Sequence, residues 1–316
     1  MSKSAEIVIL MLGGARRVSV AELLKESGKR LGYDVKILSY ELDAKVPIAV
    51  IGEVIIGKKW SDPELMSDLE NVISKYNVNI ILPFVDGAIE IASKCKLAFP
   101  HLFVPVSDFA LAQQMFDKTI AAEIFEKANL PIPTTYSTSD IKYPAIAKPR
   151  RGSASQGIKI LTNPTDFASL TNIEDYIIQE YIEQNDEYTI DCYVADNGQT
   201  MCVVPRIRLE VVGGEVTKTQ TCKIPELIEI SNNVLSSLNF RGPITLQFLF
   251  DKRRQQFFLM EINPRLGGGV VCSILANAPI ADYIIKESLN LPISQCNNWK
   301  DHTLMVRYRK EVIFYE

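Results

Sequence analysis

Histidine is almost absent from this chain: of 316 residues, only His101 and His302 carry an imidazole. That excludes a histidine-rich metal centre and leaves Ser/His/Asp catalysis little to draw on. His101 follows Pro100 in a loop, and both histidines read as surface residues. Cysteine is sparse too, at Cys95, Cys192, Cys202, Cys222, Cys272 and Cys296, with no CxxC spacing. Scattered thiols of this kind indicate a reduced, cytoplasmic setting and argue against a disulfide frame or a zinc site. The apolar run Ile7 to Leu12 is too short for a secretory h-region and reads as a buried strand, and nothing later is long enough to span a bilayer. A formal charge of −4 without a basic run gives no electrostatic footprint for nucleic acid. Repeats and low-complexity segments are also missing. What remains is 47% hydrophobic and 23% charged, with a mean hydropathy of +0.05, the profile of a soluble globular protein with room for two or three core-forming units. A homo-oligomer is compatible with it.

In the first third, strands alternate with helices. Residues 6–12 read as a strand, Gly13-Gly14-Ala15-Arg16-Arg17 as a tight turn, and Val18 to Leu31 as a helix. Val35 to Leu38 is a second strand, Pro63 to Tyr76 a helix and Ile80 to Pro83 a third strand, so a parallel sheet covered on both faces is expected. The glycine turn lacks GxGxxG spacing and no acidic residue clearly ends the second strand, which counts against a dinucleotide site. Arg16 and Arg17 suit either a substrate anion or a solvated helix start. Asp86 stands where sheet loops carry ligands, or caps a helix over Ala88 to Ser93.

From Val104 the character changes. Ser107 is expected to cap a helix reaching Asp117 and Lys118, with a second helix ending near Asn129. Pro144 to Pro149 is a short strand presenting Lys148. It is followed by Arg150-Arg151-Gly152-Ser153-Ala154-Ser155-Gln156-Gly157, either a flexible hairpin or a loop able to lay amides and hydroxyls over phosphates. It has no GK[ST] ending and is not a Walker A loop. Tyr176 to Ile182 and Tyr188 to Tyr193 are further strands. Arg206 and Arg208 share one strand face by period 2, as a joint anion site or an exposed basic face.

The densest chemistry lies at Phe257-Phe258-Leu259-Met260-Glu261-Ile262-Asn263-Pro264-Arg265-Leu266-Gly267-Gly268-Gly269. Glu261 and Asn263 are two apart and point to the same side of a strand, and a hairpin through Asp251 to Gln255 can bring Gln247 beside Glu261. A carboxylate on an apolar strand needs compensation, which a hard cation such as Mg²⁺ supplies through oxygen ligands. Polar residues that merely cap the glycine turn are the alternative.

Lys118, Lys148 with its Gly/Ser loop, Gln179-Glu180-Tyr181-Ile182, Glu187 and Gln247…Glu261-Ile262-Asn263-Pro264-Arg265 stand in one order along the chain. In that order the sequence resembles the ATP-grasp superfamily, particularly its carbamoyl-phosphate-synthase-like, carboxylate–amine ligase branch, over nearly its whole length. The resemblance implies an α/β N-terminal domain with a Rossmann-like parallel sheet over residues 1–106, followed by an α+β ATP-grasp fold of two subdomains. The small subdomain with its linker helices would occupy 107–183 and the metal-carrying C-terminal subdomain 184–316. It further implies that Lys118 and Lys148 contact the α- and β-phosphates of ATP, and that the loop containing Ser153, Ser155, Gln156 and Gly157 covers the triphosphate. Gln179, Glu180, Tyr181 and Ile182 would form the adenine hinge, with Glu187 on the ribose. Gln247, Glu261 and Asn263 would hold Mg²⁺, or Mn²⁺ in its place, and Arg265 would meet the transferred phosphoryl group. Glutamine at 247 lowers the charge of the site and leaves one or two metals open. The implied activity is an ATP-dependent ligase that activates a small carboxylate as an acylphosphate and joins it to an amine. A catalytically silent ATP-binding regulatory or assembly module of the same fold is the alternative. Loops at Arg16, Asp86, Arg206, Arg208, Gly267 and Gly268 are expected to select the substrate.

Overall fold

The computed structural model describes residues 5–152 and 156–315. Strand β1 (Glu6–Leu12) is buried from Ile7 to Leu12, as a strand covered on both faces must be. Helix α1 (Val18–Arg30) follows, then β2 (Asp34–Glu41), β3 (Glu53–Ile56), α2 (Leu65–Tyr76), β4 (Ile80–Pro83) and α3 (Asp86–Ala98). The four strands form a parallel sheet of order β3-β2-β1-β4. The order reverses beside β1, so the loops after β1 and β4 open a crevice at the carboxyl ends of the strands. Strand β3 was not expected; its four half-exposed edge residues carry too little pattern to register. Helix α3 begins at Asp86 itself, with Val85 in the cap position and no side-chain cap, which corrects the expectation that Asp86 caps a helix starting at Ala88.

A linker carries the chain to α4 (Phe109–Phe116) and α5 (Lys118–Lys127). Ser107 caps neither, because Asp108 takes the cap position of α4, and its hydroxyl accepts from the Arg241 amide at 3.1 Å. Asp117 caps α5, accepting from the Thr119 and Ile120 amides while Arg150 grips both carboxylate oxygens. The small antiparallel sheet comprises β5 (Ala145–Pro149), β6 (Lys159–Leu161) and, beyond α6 (Pro164–Ala168), β7 (Tyr176–Glu180), in the order β6-β5-β7.

The large antiparallel sheet is built from β8 (Asn185–Val194), β9 (Thr200–Val212), β10 (Glu215–Thr221), β11 (Gly242–Asp251), β12 (Gln256–Asn263) and β13 (Leu304–Val306), with α7 (Pro225–Ser237), α8 (Val270–Leu275) and α9 (Ile280–Ser288) in the connections. Its order is β12-β11-β8-β9-β10-β13. Gly242 opens β11 at φ +76°, and a Cβ there would lie 1.9 Å from the Pro105 carbonyl, so only glycine lets the linker lie against the sheet. One apolar cluster runs from α1 and the parallel sheet into α9, Tyr193 and Trp299, while a second lies between the large sheet, α5 and α7. No helix among the described residues is long and apolar enough to cross a membrane.

Beneath the crevice lies a fully buried ion pair. Arg206 Nε donates to Asp191 Oδ2 at 2.7 Å and Nη2 to Oδ1 at 3.2 Å, Nη1 donates to Thr219 Oγ1 at 3.1 Å, and Ser273 Oγ donates to Asp191. The network ties β8, β9, β10 and α8 together. It also corrects the expectation that Arg206 meets a substrate anion with Arg208: the anion for Arg206 is Asp191, inside the fold. Removing one partner of such a pair leaves an uncompensated buried charge, which costs about 3–5 kcal/mol. Asp191→Ala is therefore expected to lower unfolding stability by that amount in a denaturant titration, with Arg206→Met on top restoring part of the loss; a single-variant loss under about 1 kcal/mol would rule the role out.

Candidate active site

Register places the first group of side chains. In the β11–β12 hairpin Gln247 pairs with Glu261 and Thr245 with Asn263, and a bulge between Gln247 and Phe248 leaves Met260 unpaired. A bulge of this kind re-aims neighbouring side chains. Glu261 Oε1 accepts from Gln247 Nε2 and from Asn263 Nδ2, each at 2.8 Å. Gln247 Oε1 accepts from Arg208 Nη1 at 3.1 Å, and the same nitrogen meets Glu187 Oε2 at 3.1 Å. Arg208 also donates to the Gly214 carbonyl, yet its Nε is buried without a partner. Arg208 thus belongs to the network around Glu261, on the strand opposite Glu187.

Among the described residues no three His, Cys, Asp or Glu side chains cluster as a metal site. The donors at hand are one carboxylate, Glu261, and the amides of Gln247 and Asn263. A half-turn of either amide replaces its NH₂ by oxygen toward Glu261. Such a sparse, all-oxygen set fits Mg²⁺, which takes one or two carboxylates and completes its shell with substrate phosphates and water.

Lys148, on β5, faces the same cavity. The residue is 7% exposed and its ammonium donates to Gln179 Oε1 at 3.1 Å. Burial pulls its pKa down to about 8, with Glu261 and Glu187 opposing the shift and Lys118 adding to it. Lys118, first residue of α5, donates to the Gly152 carbonyl at 2.9 Å. Lys118, Lys148, Gln156, Gln179, Glu187 and Glu261 line this cavity over an apolar floor that includes Phe125 and Leu259. Ser153 and Ser155 lie outside the described residues; Gly157, with φ +73°, sits against Pro149. Of the expected adenine hinge, Gln179 lines this cavity and the other three residues lie beside it. Arg254 clamps the Glu180 carboxylate at 3.0 and 3.2 Å, and Glu180, Tyr181 and Ile182 line a separate depression beside Tyr136 and Asp251. The Ile182 carbonyl accepts from Asn185 Nδ2, so the Glu180 carboxyl and this carbonyl are already engaged.

A second cavity adjoins the first and shares Lys118, Arg208, Gln247 and Glu261 with it. Its other wall carries Arg17, Asp86, Asn263, Arg265, Gly267 and Gly268. Arg265 was expected to meet the transferred phosphoryl group. Its Nε and Nη2 both donate to Asp86 Oδ1 at 3.1 Å, joining α3 to the end of the β11–β12 hairpin. Arg16 is exposed and lines neither cavity, which corrects its assignment; its neighbour Arg17 faces the crevice. The two are adjacent in one irregular turn, where no periodicity tells which points inward. Glu215 and Arg307, paired at 3.0 Å beside Gly268, also went unread in sequence: one follows a glycine turn and the other lies in an unpatterned tail.

Glu41 ends β2 after all. Its carboxylate accepts from Ser39 Oγ at 2.6 Å and from the amides of Gly14 and Ala15. Burial raises its pKa, and those three bonds hold the rise back. The glycine turn therefore already holds an internal anion, the reason it offers no phosphate site.

Comparison with known proteins bears on the whole arrangement. Residues 172–312 match the family model described as ATP-grasp in the biosynthetic pathway with Ter operon. The chain is 21% identical over 213 residues to the mitochondrial methylcrotonoyl-CoA carboxylase subunit alpha of Oryza sativa, covering 58% of this chain and 29% of that protein. It is 20% identical over 277 residues to the carbamoyl phosphate synthase large chain of Methanobrevibacter smithii, covering 75% of this chain and 25% of that protein. The chain thus spans less than a third of the length of either relative. Among solved structures, the biotin carboxylase domain dimer of Hydrogenobacter thermophilus 2-oxoglutarate carboxylase, in complex with MgADP, ADP and bicarbonate, superposes with a TM-score of 0.72 at 15% identity, covering 94% of this chain and 73% of that one. The parallel-sheet unit followed by two antiparallel sheets gives this chain the fold of the solved structure on which it superposes, and residues 172–312 match an ATP-grasp family model.

Proposed function

We propose that the protein is an ATP- and Mg²⁺-dependent ligase that activates a small carboxylate as an acylphosphate and passes the acyl group to an amine or similar nucleophile. The observation that carries this reading is the meeting of two cavities at Glu261: one holds the lysines suited to a triphosphate, the other the arginine suited to an acid. A carbamoyl-phosphate-synthase-like chemistry fits the glutamine at 247, and a solved relative binds MgADP together with bicarbonate, itself a small acid.

In this reading Lys118 and Lys148 bind the phosphates, and Gln156 closes over them. Glu261 and Asn263, with Gln247, hold Mg²⁺, which supplies charge neutralisation on the phosphate oxygens. Phosphoryl transfer needs little beyond position and charge, so the chain supplies no nucleophile of its own. Arg265 leaves Asp86 for the incoming carboxylate, orients it toward the terminal phosphate and stabilises the charge that builds up during transfer. The amine then displaces phosphate from the acyl group, and Asp86 is placed to accept a proton as nitrogen attacks.

Two outcomes test this. Glu261→Ala is expected to abolish ADP release while leaving the adenosine moiety bound, since Glu261 reaches the nucleotide only through the ion; full turnover in that variant would remove the metal assignment. Lys148 gives a pH signature. Below a pKa of about 8 it carries its charge before nucleotide arrives; above it, binding phosphates must first protonate it. ATP affinity is therefore expected to fall as pH rises past that value, by up to about tenfold per unit. Lys148→Arg, charged throughout, flattens the profile, and an equally steep fall in that variant would assign the titration to another group.

A further inference from the structure

The turn between β1 and α1 turns one guanidinium, that of Arg17, into the acceptor crevice. Its side chain is 16% exposed, yet its nearest counter-charge, Glu215 Oε1, stands 3.9 Å from Nη2. Among the described residues the Arg17 guanidinium donates no hydrogen bond. Glu215 is taken by Arg307 instead, whose Nη1 lies 3.0 Å from Oε2 and whose Nη2 donates to the Gly268 carbonyl. Arg17 and Arg307 converge over bare backbone: a Cβ on Gly268 would lie 3.3 Å from Arg17 Nη1 and 3.6 Å from Arg307 Nη2.

The charges on this wall do not balance. Three guanidiniums, Arg17, Arg265 and Arg307, face two carboxylates, Asp86 and Glu215, which leaves one positive charge over. Burial depresses the Arg17 pKa, Glu215 raises it, and Arg265, Arg307 and Arg16 press it down further, so the cations feel one another. A mostly buried guanidinium without a bonding partner is costly, and a ligand anion is what compensates it.

We propose that the acceptor acid is doubly anionic. Its reacting carboxylate lies at Arg265 and Asn263, and a second anionic group, a carboxylate or a phosphate, sits over Gly268 in the planar fork of Arg17 with Arg307 beside it. This rests on the reading that the crevice holds the phosphoryl acceptor. A monocarboxylate leaves the Arg17 guanidinium as it stands, without a hydrogen-bonding partner, and an acid bearing an ammonium group presents a cation to a wall that is already positive.

The test is calorimetric binding of four probes to the chain saturated with MgADP: succinate, 3-phosphoglycerate, propionate and β-alanine. Succinate or 3-phosphoglycerate is expected to bind at least tenfold more tightly than propionate and β-alanine, and the better of the two identifies the second group as carboxylate or phosphate. Arg17→Gln is expected to weaken that probe by roughly tenfold to a hundredfold, the range for a lost hydrogen bond to a charged group. Arg17→Lys recovers part of the loss. Arg16→Gln, the same charge change in the same turn but outside the crevice, retains the preference. Equal binding of all four probes, binding of none, or equal losses in Arg16→Gln and Arg17→Gln would overturn the second-anion site while MgADP binding keeps the functional reading intact. Failure to bind MgADP overturns the functional reading and, with it, the proposal built on it.

Discussion

The candidate site turns on one constraint: Glu261 is a carboxylate placed on a strand whose other residues are mostly apolar and buried. A charge in that position must be compensated, and the surrounding elements do so in turn. Strand register sets Gln247 and Asn263 against one oxygen, while β5 brings the Lys148 ammonium into the same cavity. These partners still leave the lysine depressed, so the cavity without ligand is under-neutralised on both sides. Its carboxylate calls for a cation and its buried lysine for an anion. A magnesium–phosphate pair answers both at once, which physically couples metal and nucleotide binding.

The neighbouring crevice follows a different logic. There two of the arginines already have carboxylate partners, and those partners come from elsewhere in the chain: Asp86 from α3 meets Arg265, and Glu215 from the β9–β10 hairpin meets Arg307. In the proposed function, binding of the acid is an exchange of one carboxylate for another at a guanidinium, in which little desolvation has to be found anew. The released Asp86 stays beside the reacting group, where a base is useful. The Arg265–Asp86 pair links the parallel-sheet unit to the large sheet across the crevice, so occupancy of the site and the closeness of the two units depend on the same bonds.

Much of this was legible in the sequence wherever a period exists. The i, i+2 spacing of Glu261 and Asn263 and the hairpin that brings up Gln247 follow from strand geometry, and the structure shows that pairing. The alternation of strands and helices gave the parallel sheet, and the order of lysines, glutamates and the Asn-Pro-Arg turn carried the resemblance that pointed to this fold. The failures lie where no period exists. Arg16 and Arg17 differ only in which way an irregular turn points them. Arg206 and Arg208 do share a face, but sequence cannot say that Asp191 already fills the space before Arg206. Glu41 escaped notice because its role is to hold the amides of Gly14 and Ala15, a contact between segments with no local signature. Tertiary ion pairs are invisible to local pattern in general, since each partner alone looks like a solvated charge.

Burial grades these ion pairs, and the grade separates scaffold from ligand site. Arg206 and Asp191, with side chains 0% and 2% exposed, meet at 2.7 Å and hold four elements together. Neither can leave without stranding the other in a dry core, so this pair is fixed. One layer up, Arg265 and Asp86, at 16% and 28%, meet at 3.1 Å. Water reaches both, and a competing carboxylate costs little to admit. At the mouth, Arg17 and Glu215, at 16% and 44%, stand 3.9 Å apart, a distance at which no hydrogen bond forms. The guanidinium there is as buried as that of Arg265 but lacks its bonds, and this mismatch between burial and pairing marks Arg17 as built for something that arrives from outside.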